Sequence, residues 1–340
     1  MWWFRNSSKA KPDNAAFAPA VQVPEASEIL TVTASDGVQL HAEIVDCGAG
    51  DVTVIFCHGY MIDSRSWHFQ RAALADQARL VLWDQRGHGR SGWATPANAT
   101  IDQVGQDLFA VMQATAPHGP VVLVGHSMGG MAILGLAESH PELFGDRIVG
   151  ATLIATSAGG LSGVTLGLPE PAARLLHQAV RTSLSLLRRQ SHMVDTVRRV
   201  TSRTSFRLTQ RYLFGSQVLQ PVAELTARAM ASTPIAVIAE FFPELDTFDK
   251  RTVVSALGKV PTLILVGDRD TITPISHSEA LAREILGAEL VAVAGAAHLL
   301  ILESPQRVNE QLQRLVAGVA QHKTPPSPSE HASRATDAPT

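Results

Sequence analysis

An α/β architecture, with a mostly parallel central sheet flanked by helices and carrying an inserted helical cap, is predicted by three observations. Strand-like and helix-like segments alternate over residues 28–158 and again over 251–322. The strands from Val52 onward are continuous apolar runs, as expected of parallel strands covered on both faces. Residues 159–250, between the two alternating stretches, carry helical spacing and no convincing strand.

Taken in order, Ile29 to Thr33, Val38 to Val45 and Val52 to Phe56 read as strands, with turns at Asp36-Gly37 and Gly48 to Gly50. Ser64 to Gln77 reads as a helix, Leu80 to Trp83 as a strand and Ile101 to Thr115 as a helix. Strand Val121 to Val124, helix Met131 to Ser139 and strand Ile148 to Ile154 complete the first stretch. In the insertion, Leu175, Leu176, Ala179, Val180, Leu184 and Leu187 recur at helical spacing. Between Arg174 and Arg211 stand nine arginines and a single acidic residue, Asp195. Alternation resumes with strand Thr262 to Val266, helix Ser276 to Leu286, strand Leu290 to Val293 and helix Pro305 to Val319.

Composition narrows the class. The 340 residues are 45% hydrophobic and 17% charged, a globular balance. The net charge of −3 gives no global signal for nucleic acid or for an anionic membrane. Two cysteines cannot build a disulfide framework, and Cys57 closes an apolar run as a small hydrophobe would. No stretch reaches the roughly 18 apolar residues of a membrane span. Residues 1–27 read as a flexible leader: Trp2, Trp3 and Phe4 precede Arg5, Lys9 and Lys11, the reverse of a secretory signal's order. Residues 323–340, rich in proline, serine and threonine, read as a disordered tail. A cytoplasmic location is the expectation, with contact between the amino-terminal aromatics and a membrane surface left open. The oligomeric state is not legible.

The chemistry is concentrated at strand ends. Gly125-His126-Ser127-Met128-Gly129 sits between an apolar strand and a helix, the context in which a serine is presented on a strained turn as a nucleophile. A serine hydroxyl needs a base, and the base needs an acid to hold its tautomer and stabilise its cation. Strand Thr262 to Val266 runs into Gly267-Asp268-Arg269-Asp270, and strand Leu290 to Val293 into Gly295-Ala296-Ala297-His298. Parallel strands bring these carboxyl ends to the same sheet edge as Ser127. His298 is the only one of 13 histidines to follow the last strand before the final helix's end and to lack another reading. Asp270, at the fourth position of its turn, is favoured over Asp268 as the acid, which then caps the turn or pairs with Arg269. Donors for a developing oxyanion are expected from the backbone N–H groups of Met128 and Tyr60, with Gly59 letting the loop turn toward the serine.

Together His58-Gly59, Asp84 to Ser91, Gly125 to Gly130, Gly267 to Asp270 and His298 resemble the α/β-hydrolase fold family, in its capped esterase, lipase and haloperoxidase-like branch. The resemblance covers roughly residues 28–158 and 251–320. It implies an ester hydrolase with Ser127, Asp270 and His298 as the triad, and it makes Asp84, Arg86 and His88 structural braces of the oxyanion loop. Met61 stands where relatives often carry Gly or Pro, and Ala297 where they often carry Gly. Epoxide hydrolases and haloalkane dehalogenases of that family use an aspartate at the elbow, so Ser127 excludes both readings. Carbon–carbon bond hydrolysis, lactone opening and perhydrolysis stay as alternatives, with a non-catalytic binding protein behind them. The expected partner is a small-molecule ester, with lipid-type esters the weaker preference. No cofactor or metal is implied, since no Cys/His cluster has ligand spacing.

Overall fold

Eight strands build one sheet: β1 (Glu28–Thr33), β2 (Gln39–Val45), β3 (Thr53–Cys57), β4 (Arg79–Trp83), β5 (Val121–His126), β6 (Ile148–Ile154), β7 (Thr262–Gly267) and β8 (Glu289–Val293). The structure, a computed structural model, describes residues 23–48, 50–93, 98–166, 168–188, 195 and 210–322. The amino-terminal aromatics, the carboxy-terminal tail and most of the arginine-rich stretch beyond Arg188 lie outside the described residues.

The sheet order is β1-β2-β4-β3-β5-β6-β7-β8. β1 and β2 are antiparallel to their neighbours, and the six strands from β4 to β8 run parallel. Alternate residues of the central strands feed two separate cores. Ile55, Val81 and Leu123 point to the face covered by α2 (Ile101–Thr115) and α3 (Met128–Ser139). Val54, Leu80 and Val122 point to the face covered by α1 (His68–Leu74) and by the carboxy-terminal helix, Pro305–His322. All six are fully buried, and each such side chain contributes about 1.5–3 kcal/mol. Cys57 shares this interior, and burial pushes its thiol up to about 12, so it acts as a hydrophobe.

Two predicted helices differ from expectation. The segment from Ser64 begins as a 3-10 turn, Ser64–Trp67, capped by Asp63 accepting from the Arg65 N–H, and α1 then ends at Leu74. α3 begins at Met128, three residues before the predicted start, because glycines at 129 and 130 that weaken helix propensity are required there by packing.

Between β6 and β7 the described residues form α4 (Glu170–Arg188), α5 (Gln220–Ser232) and α6 (Ile235–Thr247). The chain leaves and rejoins the sheet region side by side. Gly159 bridges Asp249, and the Lys250 N–H donates to the Ala158 carbonyl at 2.7 Å. α4 packs on α6. After β7 come α7 (Ile275–Glu284), β8, α8 (Leu300–Glu303) and α9 (Pro305–His322). Among the described residues no single helix is long and apolar enough to cross a membrane.

Candidate active site

β5 ends at His126 and α3 starts at Met128, so Ser127 alone makes the turn. It does so at φ 52°, ψ −117°, a conformation that costs of order 1–3 kcal/mol for a residue with a Cβ. The surroundings hold it there. Its N–H donates to the Ile154 carbonyl at 2.9 Å, and its carbonyl accepts from Thr156 Oγ1 at 2.7 Å. A Cβ at Gly125 would lie 2.5 Å from the Gly129 carbonyl, and one at Gly129 would collide with the Cys57 carbonyl at the end of β3. Neither position tolerates a side chain.

His298 enters from the loop after β8 and Asp270 from the loop after β7. His298 Nε2 lies 3.0 Å from Ser127 Oγ, and His298 Nδ1 lies 2.9 Å from Asp270 Oδ2. The other carboxylate oxygen of Asp270 accepts from the N–H groups of Ile272 (2.8 Å) and Thr273 (2.9 Å), and Thr273 Oγ1 donates to Oδ2 at 2.7 Å. Burial pushes the Asp270 carboxyl up, but the His298 imidazole and these donors outweigh it and hold the group below its ordinary value. Asp268 does neither of the things expected of it. Its Oδ1 accepts from the Gly295 N–H at 2.7 Å, clipping the β7 and β8 loops together, while Arg269 donates to the Gly215 carbonyl.

Tyr60 and Met61 occupy the loop after β3, facing the same cavity as Ser127. Gly59 serves this loop by clearance, not by an unusual turn. A Cβ there would meet His126 Nδ1 at 2.6 Å and the Ser127 Cβ at 3.3 Å, so the backbone of this loop lies against the serine. The left-handed residue is Met61, at φ 63°. Its N–H donates to His88 Nε2 at 3.2 Å, which stabilises that conformation. The Tyr60 phenol donates to the Ile238 carbonyl on α6 at 2.5 Å. Met128 heads α3, where first-turn N–H groups lack intrahelical acceptors and the helix dipole favours negative charge.

The loop after β4 braces this arrangement, with His88 holding the Met61 N–H as expected and Arg86 alone turned elsewhere. The Gln85 N–H donates to His58 Nε2 at 2.9 Å, and Asp84 accepts from the N–H groups of Ser64 and Arg90, both at 2.9 Å. Arg86 points the opposite way. Its guanidinium spans Asp107 on α2, at 2.6 Å, and Asp36 in the β1–β2 turn, at 2.7 Å. That contact holds Asp36 down to about 2. The Arg86 guanidinium therefore anchors the loop to α2 and to the β1–β2 turn, and Arg86 reaches the oxyanion loop only through its carbonyl, which accepts from His88 Nδ1.

Two further residues tie the site together. His126 Nε2 lies 2.8 Å from the His298 carbonyl; a carbonyl only accepts, so the proton sits on Nε2. Burial, and then the neighbouring His298, push His126 down to about 3, which keeps it neutral. Glu303 on α8 is buried at 2% exposure. It accepts from the N–H groups of Ala297 (2.8 Å), Gly215 (3.1 Å) and Ser216 (2.5 Å), and from Ser216 Oγ (2.6 Å). One carboxylate thus joins the residue before His298 to the chain entering α5. The only sequence signal for Glu303 is an acidic residue in an otherwise apolar run, Leu299 to Leu302.

Ser127 and His298 open into a cavity of about 330 Å³. Its wall is nearly all apolar: Met131 and Leu299 on the sheet side, Leu176, Val180, Phe242 and Leu245 from α4 and α6. The helical side contributes two polar lining residues, His177 and Asp246, 3.4 Å apart, with Arg181 at 3.2 Å from the same carboxylate. A separate cleft of about 460 Å³ holds Arg65, Arg71 and Arg90, but Asp63, Glu43 and Asp84 already pair with them. Among the described residues no group of three or more His, Cys, Asp or Glu converges as a metal site.

The chain resembles several known proteins. The chain is 25% identical over 268 residues to the dihydrolipoyllysine-residue acetyltransferase component of an acetoin cleaving system from Pseudomonas putida, which covers 78% of this chain and 63% of that protein. It therefore spans less than two thirds of that relative's length. It is 28% identical to a non-heme haloperoxidase of Rhodococcus erythropolis, over 83% of this chain and 97% of the relative. A thermophilic esterase from Thermogutta terrifontis, solved with malate bound, superimposes with a TM-score of 0.66 at 26% identity, covering 86% of this chain and all of that one. The sequence profile of the alpha/beta hydrolase family matches residues 54–311, the span from β3 into α9 that supplies Ser127, Asp270 and His298. The chain belongs to the alpha/beta hydrolase family.

Proposed function

We propose that this protein is a serine hydrolase of carboxylic esters. The observation that carries the reading is the continuous relay from Ser127 Oγ through His298 to Asp270, with links of 3.0 and 2.9 Å. Ser127 Oγ attacks the ester carbonyl while His298 Nε2 takes its proton. Asp270, an anion held below its ordinary pKa, stabilises the imidazolium that results. The N–H groups of Met128 and Tyr60 receive the tetrahedral oxyanion. The imidazolium then protonates the departing alcohol, and a water deprotonated by His298 releases the acid and restores the serine.

On this reading residues 28–158 and 251–322 form the hydrolase core, and residues 159–250 form a cap that selects the substrate. The apolar wall from α4 and α6 suits the acyl chain of a lipid-type ester. The likeness to a non-heme haloperoxidase supports perhydrolysis as a second reading, in which hydrogen peroxide replaces water at the same acyl-enzyme. Fluorophosphonate labelling followed by peptide mapping tests the nucleophile, and p-nitrophenyl esters of graded acyl length test the reaction. Covalent modification at Ser127 with ester turnover is expected. A chain that neither labels at Ser127 nor turns over any ester would overturn the proposal, and peracid formation outpacing hydrolysis would favour the second reading.

A further inference from the structure

The helix that walls the cavity also presents an outer face on which, among the described residues, large apolar side chains stay exposed. α4 leaves Leu175 at 69% exposure and Leu186 at 58%. They are eleven residues apart, which returns to almost the same helix face at about 100° per residue. Leu176 and Leu187, one position on, are each 39% exposed. Arg174 and Arg181, seven residues apart, lie along the other edge of the outer surface, with side chains 77% and 51% exposed; they reach Glu170 on the same helix and Asp246 on α6, and with three arginines to one acidic residue the helix stays net cationic. This charge continues in the sequence, where nine arginines meet one acidic residue between Arg174 and Arg211 in a chain of net charge −3. Leucines beside a cationic edge on one amphipathic helix match a bilayer with anionic headgroups: leucines reach acyl chains and arginines pair with phosphates. An acidic protein would answer the arginines but leave the leucines without a role.

We infer that α4 is a docking face for an anionic phospholipid surface. Because Leu176, His177 and Val180 of the same helix line the cavity holding Ser127 and His298, docking sets that cavity against the lipid. Delivery of lipid esters to Ser127 rests on the ester-hydrolase reading; the docking itself does not.

Cosedimentation of the full chain with vesicles of phosphatidylcholine, alone or mixed with phosphatidylglycerol, tests this at low and high salt. Turnover of a soluble short-chain p-nitrophenyl ester is followed in parallel. Binding to the mixed vesicles alone, weakened by salt, is expected. The exposed pair Leu175→Ser with Leu186→Ser should lower vesicle partitioning at least about tenfold and leave soluble-ester turnover unchanged. Arg174→Glu should lower it about fivefold or more and flatten the salt dependence. Absence of binding to anionic vesicles overturns the inference. So does binding indifferent to the leucine pair, which would mark the face as a site for an acidic protein. Vesicle binding without soluble-ester turnover supports docking and counts against the ester reading, whereas turnover without vesicle binding does the reverse.

Discussion

β5, which leads to Ser127, is buried along its whole length, whereas α4, on the opposite wall of the same cavity, leaves Leu175 and Leu186 more than half exposed. On the sheet side the carboxylates are tied down by several donors each: Asp270 accepts four hydrogen bonds and Glu303 four, and His126 and His88 are neutral and enclosed. On the outer face of α4 the ion pair between Arg174 and Glu170 is solvent-facing and contributes little. Chemistry needs sub-ångström positioning, which a rigid parallel sheet supplies. Selection of an acyl chain needs only a surface of suitable shape, which a few helices can supply with less order. The core should therefore respond to substitution in rate, and the helical segment in selectivity.

The largest break in that contrast is Ser127→Ala. Ester turnover should fall by about 10⁶, read as kcat in purified protein, and fluorophosphonate labelling should vanish. Asp270→Asn should cost about 10⁴ in kcat by presenting the wrong histidine tautomer, while Asp268→Asn, at an exposed clip between loops, should stay within about twofold. Equal losses from the two aspartates would show that the relay to Asp270 is not what orients His298. Glu303→Ala leaves the Ala297 and Ser216 N–H groups without their acceptor. It should lower kcat by about ten- to a hundredfold with little change in KM, because the loop carrying His298 loosens while the cavity wall stays. A fall in stability with kcat intact would make Glu303 a structural tie only.

These residues also show what the sequence reveals and where it stops. The alternation of strands and helices and the positions of Ser127, Asp270 and His298 are legible because each follows from local pattern: an apolar run, a turn, and the chain end of a strand. Boundaries shift where packing overrides propensity, as at Gly129 and Gly130 in the first turn of α3. The contacts His126 to His298 and Glu303 to Gly215 cross 172 and 88 residues and depend on how two loops approach, which no local pattern encodes. Arg86 was legible as structural but not its direction, since both its carboxylate partners come from elements distant in the chain. In the insertion, helical spacing is visible while the cavity it encloses is not, since leucines at that spacing serve packing and lining equally.

Buried histidines make the core, rather than the α4 side, sensitive to acid. Burial pushes His88 and His126 down to about 3, against an ordinary value near 6.5. Between those limits the unfolded chain binds protons that the folded chain refuses, so stability rises with pH and is lost as pH falls below about 6.5. Each histidine should contribute a slope of up to about 1.4 kcal/mol per pH unit. Denaturant midpoints from pH 7 to 5 measure the sum. His126→Asn should remove one histidine's share of the slope, and an unchanged slope would mean that this ring is protonated in the folded state.

The smallest expected effect is the most direct test of selection by the helical segment. Leu245 on α6 lines the cavity and is only partly buried, so a larger side chain can be accommodated without disturbing the sheet. Leu245→Trp should shorten the preferred acyl chain by occupying part of the 330 Å³. Each methylene that loses its contact forfeits about 0.8 kcal/mol, close to fourfold in kcat/KM. Short-chain esters, which do not reach α6, should keep their rate. The chain-length profile of kcat/KM, compared with that of the unaltered protein, reads this as a leftward shift without loss of height. A uniform drop at every length would instead place Leu245 in the support of the serine and histidine, and the division of labour between sheet and helices would fail at that wall.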